Sequence, residues 1–340
     1  MKASIANTGR GMPPSLLKVL AFVLVISPSF SVYAADDLFV NAAKRFSPLP
    51  DTLAEPGQTI SPERAALGRK LFFDKRLSVD GSVSCETCHL PGLHATDGLN
   101  RSIGVEHRLN LRNAPTLLNA ALQFRIHWDG ARQDVEDQAT QSLIGPTSFG
   151  NKDYQSVISK LKDLGYERDF QKAFPGEKDP VQPANWGKAI GSFERTLVSP
   201  SLFDAYLKGN MSALNDSAKE GLRLFMDIGC ANCHDGILLG GMRYAKFGLF
   251  EDVPSNTDDE GRAGVTHAPS DRMVFKVAPL RNVAMTPPYF HDGSVDDLGA
   301  AIRVMGKVQL ARDLTDADVS ALKAFLESLT GTIPPNFKAP

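Results

Sequence analysis

Four cysteines are the whole thiol complement of the 340-residue chain, and they fall in two matching settings, Cys85-Glu86-Thr87-Cys88-His89 and Cys230-Ala231-Asn232-Cys233-His234. C-x-x-C-H is the attachment signal for a c-type haem. Two thiols at this spacing can reach the two vinyl groups on one porphyrin edge and form thioethers. The histidine directly after the second cysteine is then held under the iron as its proximal ligand. The opposite face is left to a second ligand or to a substrate, and that choice separates electron transfer from peroxide chemistry. A lone C-x-x-C would also suit half a zinc site or a thioredoxin-like pair, and four thiolates would suit one zinc ion. An exported chain could pair the four as disulfides in three ways. None of these readings calls for His89 and His234, so the residues favour two covalent haems.

The length allows one large or two ordinary domains, and the apolar and charged fractions are those of a globular protein. Net charge is −2, and the first 34 residues hold Lys2, Arg10 and Lys18 with no acid, so the remainder is near −5. That balance argues against a nucleic-acid binder and suits a basic partner. Arg10 and Lys18 precede the apolar run from Val19 to Ile26, and Val32-Tyr33-Ala34 offers a cleavage site. Residues 1–34 therefore read as a secretory signal, too short in its apolar core to span a membrane. Export to the periplasm agrees with c-type haem, which bacteria attach outside the cytoplasm.

Elements that could position the motifs follow from caps and periodicity. Residues 36 to 60 are punctuated by proline and read as surface chain. Ser61-Pro62-Glu63 opens a helix with Leu67, Leu71 and Phe72 on its apolar face. Gly68-Arg69-Lys70-Leu71-Phe72 before the first motif recurs as Gly221-Leu222-Arg223-Leu224-Phe225 before the second. A shared G-x-x-L-F element argues for two copies of one haem-binding unit. Residues 117 to 175 read as helical with short breaks, and Ala184 to Val198 as a helix with Trp186, Ile190, Phe193 and Leu197 on one face. Ser199-Pro200 ends it and marks a domain boundary. Residues 235 to 285 read as a long loop region. Thr315-Asp316-Ala317-Asp318 caps a last helix lined by Leu322, Phe325, Leu326 and Leu329 and stopped by Gly331. With little strand patterning, the expected fold is mostly α.

Taken together, these residues resemble the bacterial di-haem cytochrome c peroxidase family, which includes the MauG-type enzymes. Besides the two haem motifs, the resemblance rests on Thr96-Asp97-Gly98-Leu99, Arg112-Asn113-Ala114-Pro115-Thr116, Trp128-Asp129-Gly130, Phe275-Lys276-Val277, Leu280-Arg281-Asn282-Val283 and Pro288-Tyr289-Phe290-His291-Asp292-Gly293, over roughly residues 40 to 330. It implies two cytochrome-c-like haem domains in tandem, at 35–200 and 201–340. The N-terminal haem would be peroxidatic and the C-terminal one an electron-transfer haem with His/Met ligation. Met305 lies at the matching place for that thioether, and Met285 is its nearest rival. Trp128 matches a tryptophan between the haems. Gln138 matches a residue of the peroxidatic pocket. Asn113, Thr286 and Pro288 match positions that give oxygens to an inter-domain calcium, a hard cation suited to carbonyl and amide ligands.

Two positions depart from the family. The resting-state distal histidine falls on Val105, with His107 two residues later, and the distal glutamate falls on Ser148. With valine at the ligand position, the first haem is expected to be open to peroxide without reductive activation, unless His107 takes the ligand place. His94 reads as a neighbour of the proximal ligand. Serine is too weak an acid and base to replace the glutamate directly, so peroxide turnover is expected to be slower than is usual for the family. The implied activity is reduction of hydrogen peroxide to water with electrons from a small cytochrome c or a copper protein (a cupredoxin), in a chain that the resemblance makes a homodimer. The competing readings are a MauG-like enzyme oxidising Trp or Tyr of a partner protein, and a two-haem electron carrier without catalysis. Met305 argues against the first, since the MauG-like pattern has tyrosine there.

Overall fold

The computed structural model describes residues 37–54, 59–253 and 258–340. The expected signal at 1–34 lies outside the described residues. Twelve α-helices dominate: α1 (Asp37–Arg45), α2 (Pro62–Phe72), α3 (Cys85–Cys88), α4 (Val135–Ser142), α5 (Tyr154–Asp163), α6 (Glu167–Ala173), α7 (Pro183–Glu194), α8 (Leu202–Leu207), α9 (Asp216–Asp227), α10 (Ala263–Thr266), α11 (Leu298–Leu310) and α12 (Asp316–Glu327). The described strands are β1 (Tyr244–Lys246) and β2 (Val274–Lys276), an antiparallel pair with Tyr244 opposite Lys276. The fold is mostly α, as the patterning predicts.

The caps act where the sequence places them. Ser61 Oγ accepts from the Arg64 N–H at 3.2 Å to start α2. Thr315 and Asp318 bond reciprocally to start α12. α7 ends at Glu194, four residues before the expected limit, although Leu197 is still fully buried.

Two hydrophobic cores form. One gathers α2, α5, α6 and α7 around Phe72, Trp186 and Phe193, and the other gathers α8, α9, α11 and α12 around Phe203, Phe225 and Phe325. The division falls between Leu197 and Phe203. The chain ends cross over: Leu38, Ala42 and Phe46 pack into the second core, and Phe337 into the first.

The G-x-x-L-F repeat is a repeat of packing. A Cβ on Gly68 would run into the carbonyl of Ala189, and one on Gly221 into the carbonyl of Ala321. Four residues on, Phe72 meets Phe193 with centroids 5.3 Å apart, and Phe225 meets Phe325 at 5.2 Å. In each half the glycine lets two helices touch backbone to backbone, and the phenylalanine locks the crossing one turn later. Each haem motif follows the helix so anchored.

Three expectations are corrected. Residues 36 to 60 are not all surface chain: α1 buries Leu38 and Ala42. Residues 117 to 134 are turns around one short 3₁₀ helix, Ala120–Leu122, rather than α-helix. Asn119 and His127 are left-handed, and Asn119 bonds across the chain, donating from its N–H to Leu197 O and accepting from Ser199 N–H at Oδ1. The 235–285 stretch is mostly loop, as expected, but contains the β1–β2 pair and α10.

Candidate functional site

The first motif occupies α3. The His89 N–H donates to the carbonyls of Cys85 and Glu86, each at 3.1 Å, which closes the turn and throws the imidazole clear of it. His94 and Ala95 are both left-handed, and that reversal brings Ala95 O to 3.0 Å from His89 Nδ1. The second motif follows α9 through Gly229, whose φ of +106° releases the chain from the helix. His234 Nδ1 lies 3.2 Å from Leu239 O and 3.1 Å from Ala278 O.

The proximal histidines therefore share one arrangement. Each Nδ1–H is donated to backbone carbonyl, which fixes the tautomer and leaves the Nε2 lone pair free. Burial pushes both imidazoles toward the neutral form. A neutral ring presenting Nε2 is what an iron requires. The four thiols are unpaired. Burial raises the pKa of three of them, to about 11 for Cys88 and Cys230 and further for Cys85. Among the described residues no three His, Cys, Asp or Glu side chains converge on one point, so the thiols are not gathered as a four-cysteine zinc site. Around the first motif Ser84 Oγ, Asp97 Oδ2 and Ser102 Oγ are buried without hydrogen-bond partners. The residues fit covalent haem at both motifs.

A cavity of about 350 Å³ opens at the second motif, in the size range of ligand pockets. Cys230, Cys233 and His234 line it, with Met305 from α11 on its wall. Met285, the rival sulfur, is 46% exposed and does not line the cavity. Trp128, Asn113, Thr286 and Pro288 line the cavity as well. Trp128 Nε1–H donates to Asn113 O at 3.0 Å, and Asn113 Nδ2 donates to Leu99 O at 2.8 Å, which leaves the Asn113 Oδ1 as the open end of that amide.

Beside Trp128 lies an ionic knot that sequence reasoning did not find. Arg112 grips Asp259 with two bonds of 2.5 and 2.7 Å and Asp129 with a third of 2.6 Å. Arg281, buried, pairs with buried Asp204 at 2.7 Å. Lys276, also buried, donates to the side-chain carbonyl of Gln123. The sequence contained a signal for Arg112, Lys276 and Arg281, since all three sit in quoted family stretches, but nothing in it pairs them with their partners.

At the positions that depart from the family, Val105 is fully buried and lies in van der Waals reach of Gly150. His107 is exposed, on a left-handed turn. The Ser148 hydroxyl donates to Ser142 O at 2.9 Å and Gly145 O at 3.3 Å, so it closes a backbone loop. Gln138 is half-buried on α4.

A family model described as di-haem cytochrome c peroxidase matches residues 62–212. Cytochrome c551 peroxidase of Pseudomonas aeruginosa is 41% identical over 92% of this chain and 91% of its own length. The chain belongs to the di-haem cytochrome c peroxidase family. Within that family it is also similar to the methylamine utilization protein MauG of Methylorubrum extorquens, at 35% identity over 74% of this chain and 71% of that protein. Among solved structures, a MauG-like protein associated with microbial copper homeostasis superposes with a TM-score of 0.76, at 28% identity over 86% of this chain and 97% of that one. In this chain each C-x-x-C-H is paired with a histidine held by backbone carbonyl.

Proposed function

We propose that this chain is an exported, periplasmic peroxidase that reduces hydrogen peroxide to water with electrons from a small cytochrome c or cupredoxin. The observation that carries the reading is the repeated C-x-x-C-H histidine with Nδ1 committed to backbone carbonyl. Cys85, Cys88 and His89 would hold one haem, and Cys230, Cys233, His234 and Met305 the other, in tandem units at 35–200 and 201–340. The haems supply the redox chemistry. The protein supplies ligand orientation, access and electrostatics.

The chain's own groups divide this work. Met305 would hold the second haem through its thioether, a ligand that would favour the reduced state. At the first site Val105 offers no ligand, so that face stays open to a small oxidant. Gln138 offers an amide to orient it. Ser148 spends its hydroxyl on the loop, so proton movement falls to bound water or another group and turnover is slow. His107, being exposed, would need the loop to fold inward to take part. Trp128 supplies a polarizable indole on the wall of the second cavity, braced by Asn113. Asn113, Thr286 and Pro288 all line the second cavity, and their amide and carbonyl oxygens would suit a calcium ion completed by water. The assembly we propose is a homodimer.

Haem staining after denaturing electrophoresis, the resting EPR spectrum and steady-state turnover with reduced cytochrome c together test the reading. Two covalent haems, one of them high-spin ferric, and peroxide-dependent oxidation of the donor are expected. Absence of the stain, or two saturated low-spin irons with no turnover, overturns it. Val105 favours a second reading, oxidation of a partner protein's Trp or Tyr as in MauG-type enzymes. A stable doubly oxidised state after one equivalent of peroxide would select it.

A further inference from the structure

Three cations line the second cavity, and they differ in what balances them. Lys246 is exposed to solvent. Arg281 is buried but has Asp204 at 2.7 Å. Lys276 is 6% exposed, and among the described residues its Nζ pairs with a neutral group and no carboxylate. Its hydrogen-bond partner is the neutral amide oxygen of Gln123, itself on the cavity wall. The carboxylate that acts on it electrostatically, Asp129, is engaged by Arg112 at 2.6 Å.

An unpaired buried ammonium costs several kcal/mol, so it either loses its proton or acquires an anion. Burial pushes the Lys276 pKa down to about 8, which leaves it mostly charged at neutral pH. Its backbone is not free to carry the charge outward. The Lys276 N–H donates to Trp128 O at 2.7 Å, and the residue pairs with Tyr244 in the hairpin. The amine is held on the wall of an apolar cavity beside a neutral amide.

The occupant expected in that cavity is itself an anion. A porphyrin tethered through its vinyl edge carries two propionates on the opposite edge. We propose that Lys276, braced by Gln123, is the counter-cation for a propionate of the haem held by Cys230, Cys233 and His234, and that it raises that haem's reduction potential. The assignment rests on the reading of this motif as a haem site. The sign follows from charge: a fixed cation beside the group destabilises the ferric state relative to the ferrous one.

The test uses the haem-loaded protein and the variants Lys276→Met, Lys276→Arg and Gln123→Glu. Haem content comes from the pyridine haemochrome, potential from spectroelectrochemical titration, and propionate hydrogen bonding from low-frequency resonance Raman. Lys276→Met should shift the second haem's equilibrium about tenfold toward ferric, about 59 mV for one electron, and move the propionate bending band. Lys276→Arg should restore both. Gln123→Glu, which offers the ammonium a competing carboxylate, should move the same band. A Lys276→Met protein that carries both haems with potential and band unchanged overturns the assignment. Should that variant fail to load haem, an unmoved band in Gln123→Glu overturns it equally. Fewer than two haems in the unmodified chain would instead defeat the haem reading itself.

Discussion

Replacing Gly221 by alanine should force α9 and α12 apart. The added Cβ would lie 2.6 Å from the Ala321 carbonyl carbon and 2.8 Å from Phe325 Cβ. Carbon contacts settle at about 3.5–4.0 Å, so the helices must separate by about 1 Å. The obstructing atoms are backbone and a β-carbon, which no rotamer change can move. Overpacking of this kind costs about 1–3 kcal/mol, and the better helix propensity of alanine offsets up to about 1 kcal/mol. A net loss of about 1–2 kcal/mol follows, and at about 2–4 °C per kcal/mol the Tm should fall by roughly 2–8 °C. The separation also loosens Phe225 against Phe325 just before the second haem motif. Denaturation followed by far-UV circular dichroism and by haem absorbance measures both effects. Gly68→Ala, 2.5 Å from the Ala189 carbonyl carbon, should behave alike in the first half. Gly264→Ala in α10 meets nothing within 4 Å and should be neutral or slightly stabilising. A Gly221→Ala protein as stable as the parent, or a Gly264→Ala protein as unstable as Gly221→Ala, would refute the reasoning.

Met305→Ala should abolish the sulfur-to-iron absorption of the second haem and lower its potential, whereas Met285→Ala should leave both unchanged; the visible spectrum decides. Asp204→Asn strands the buried Arg281 guanidinium and should cost about 3–5 kcal/mol in denaturant unfolding. Burial alone would raise the Asp204 pKa, but Arg281 and the Leu49 and Ser201 N–H groups outweigh it and hold the carboxyl below its ordinary value. Its stabilisation is therefore complete above the unfolded carboxyl pKa near 3.9 and is lost as pH falls through the lower folded value. The parent should shed this term only in acid, and Asp204→Asn should show no such loss. Ser148→Glu restores a carboxyl where the family has one and should raise peroxide kcat/KM by about 100-fold, the lower end of the range of general acid–base catalysis; an unchanged rate would place the proton relay elsewhere.

The two haem motifs, the caps of α2 and α12 and the repeated G-x-x-L-F element were legible from residue type and spacing alone, because each acts within a few positions of itself. A thiol pair and its histidine need only one turn of chain, and a capping box only four residues. Family stretches likewise marked Trp128 and Met305 before any coordinate was known. The turns of 117 to 134 were not legible, because Asn119 bonds to Leu197 and Ser199 some 80 positions away. That Met305 lines the cavity while Met285 stands exposed is set by tertiary packing. The second contact of His234, to Ala278, and the pairing of Lys276 with Gln123 span 44 and 153 positions. Local chemistry named the groups that can hold a haem, and only the folded chain, by burying Arg281 against a carboxylate and Lys276 against a neutral amide, decided the electrostatic setting in which they hold it.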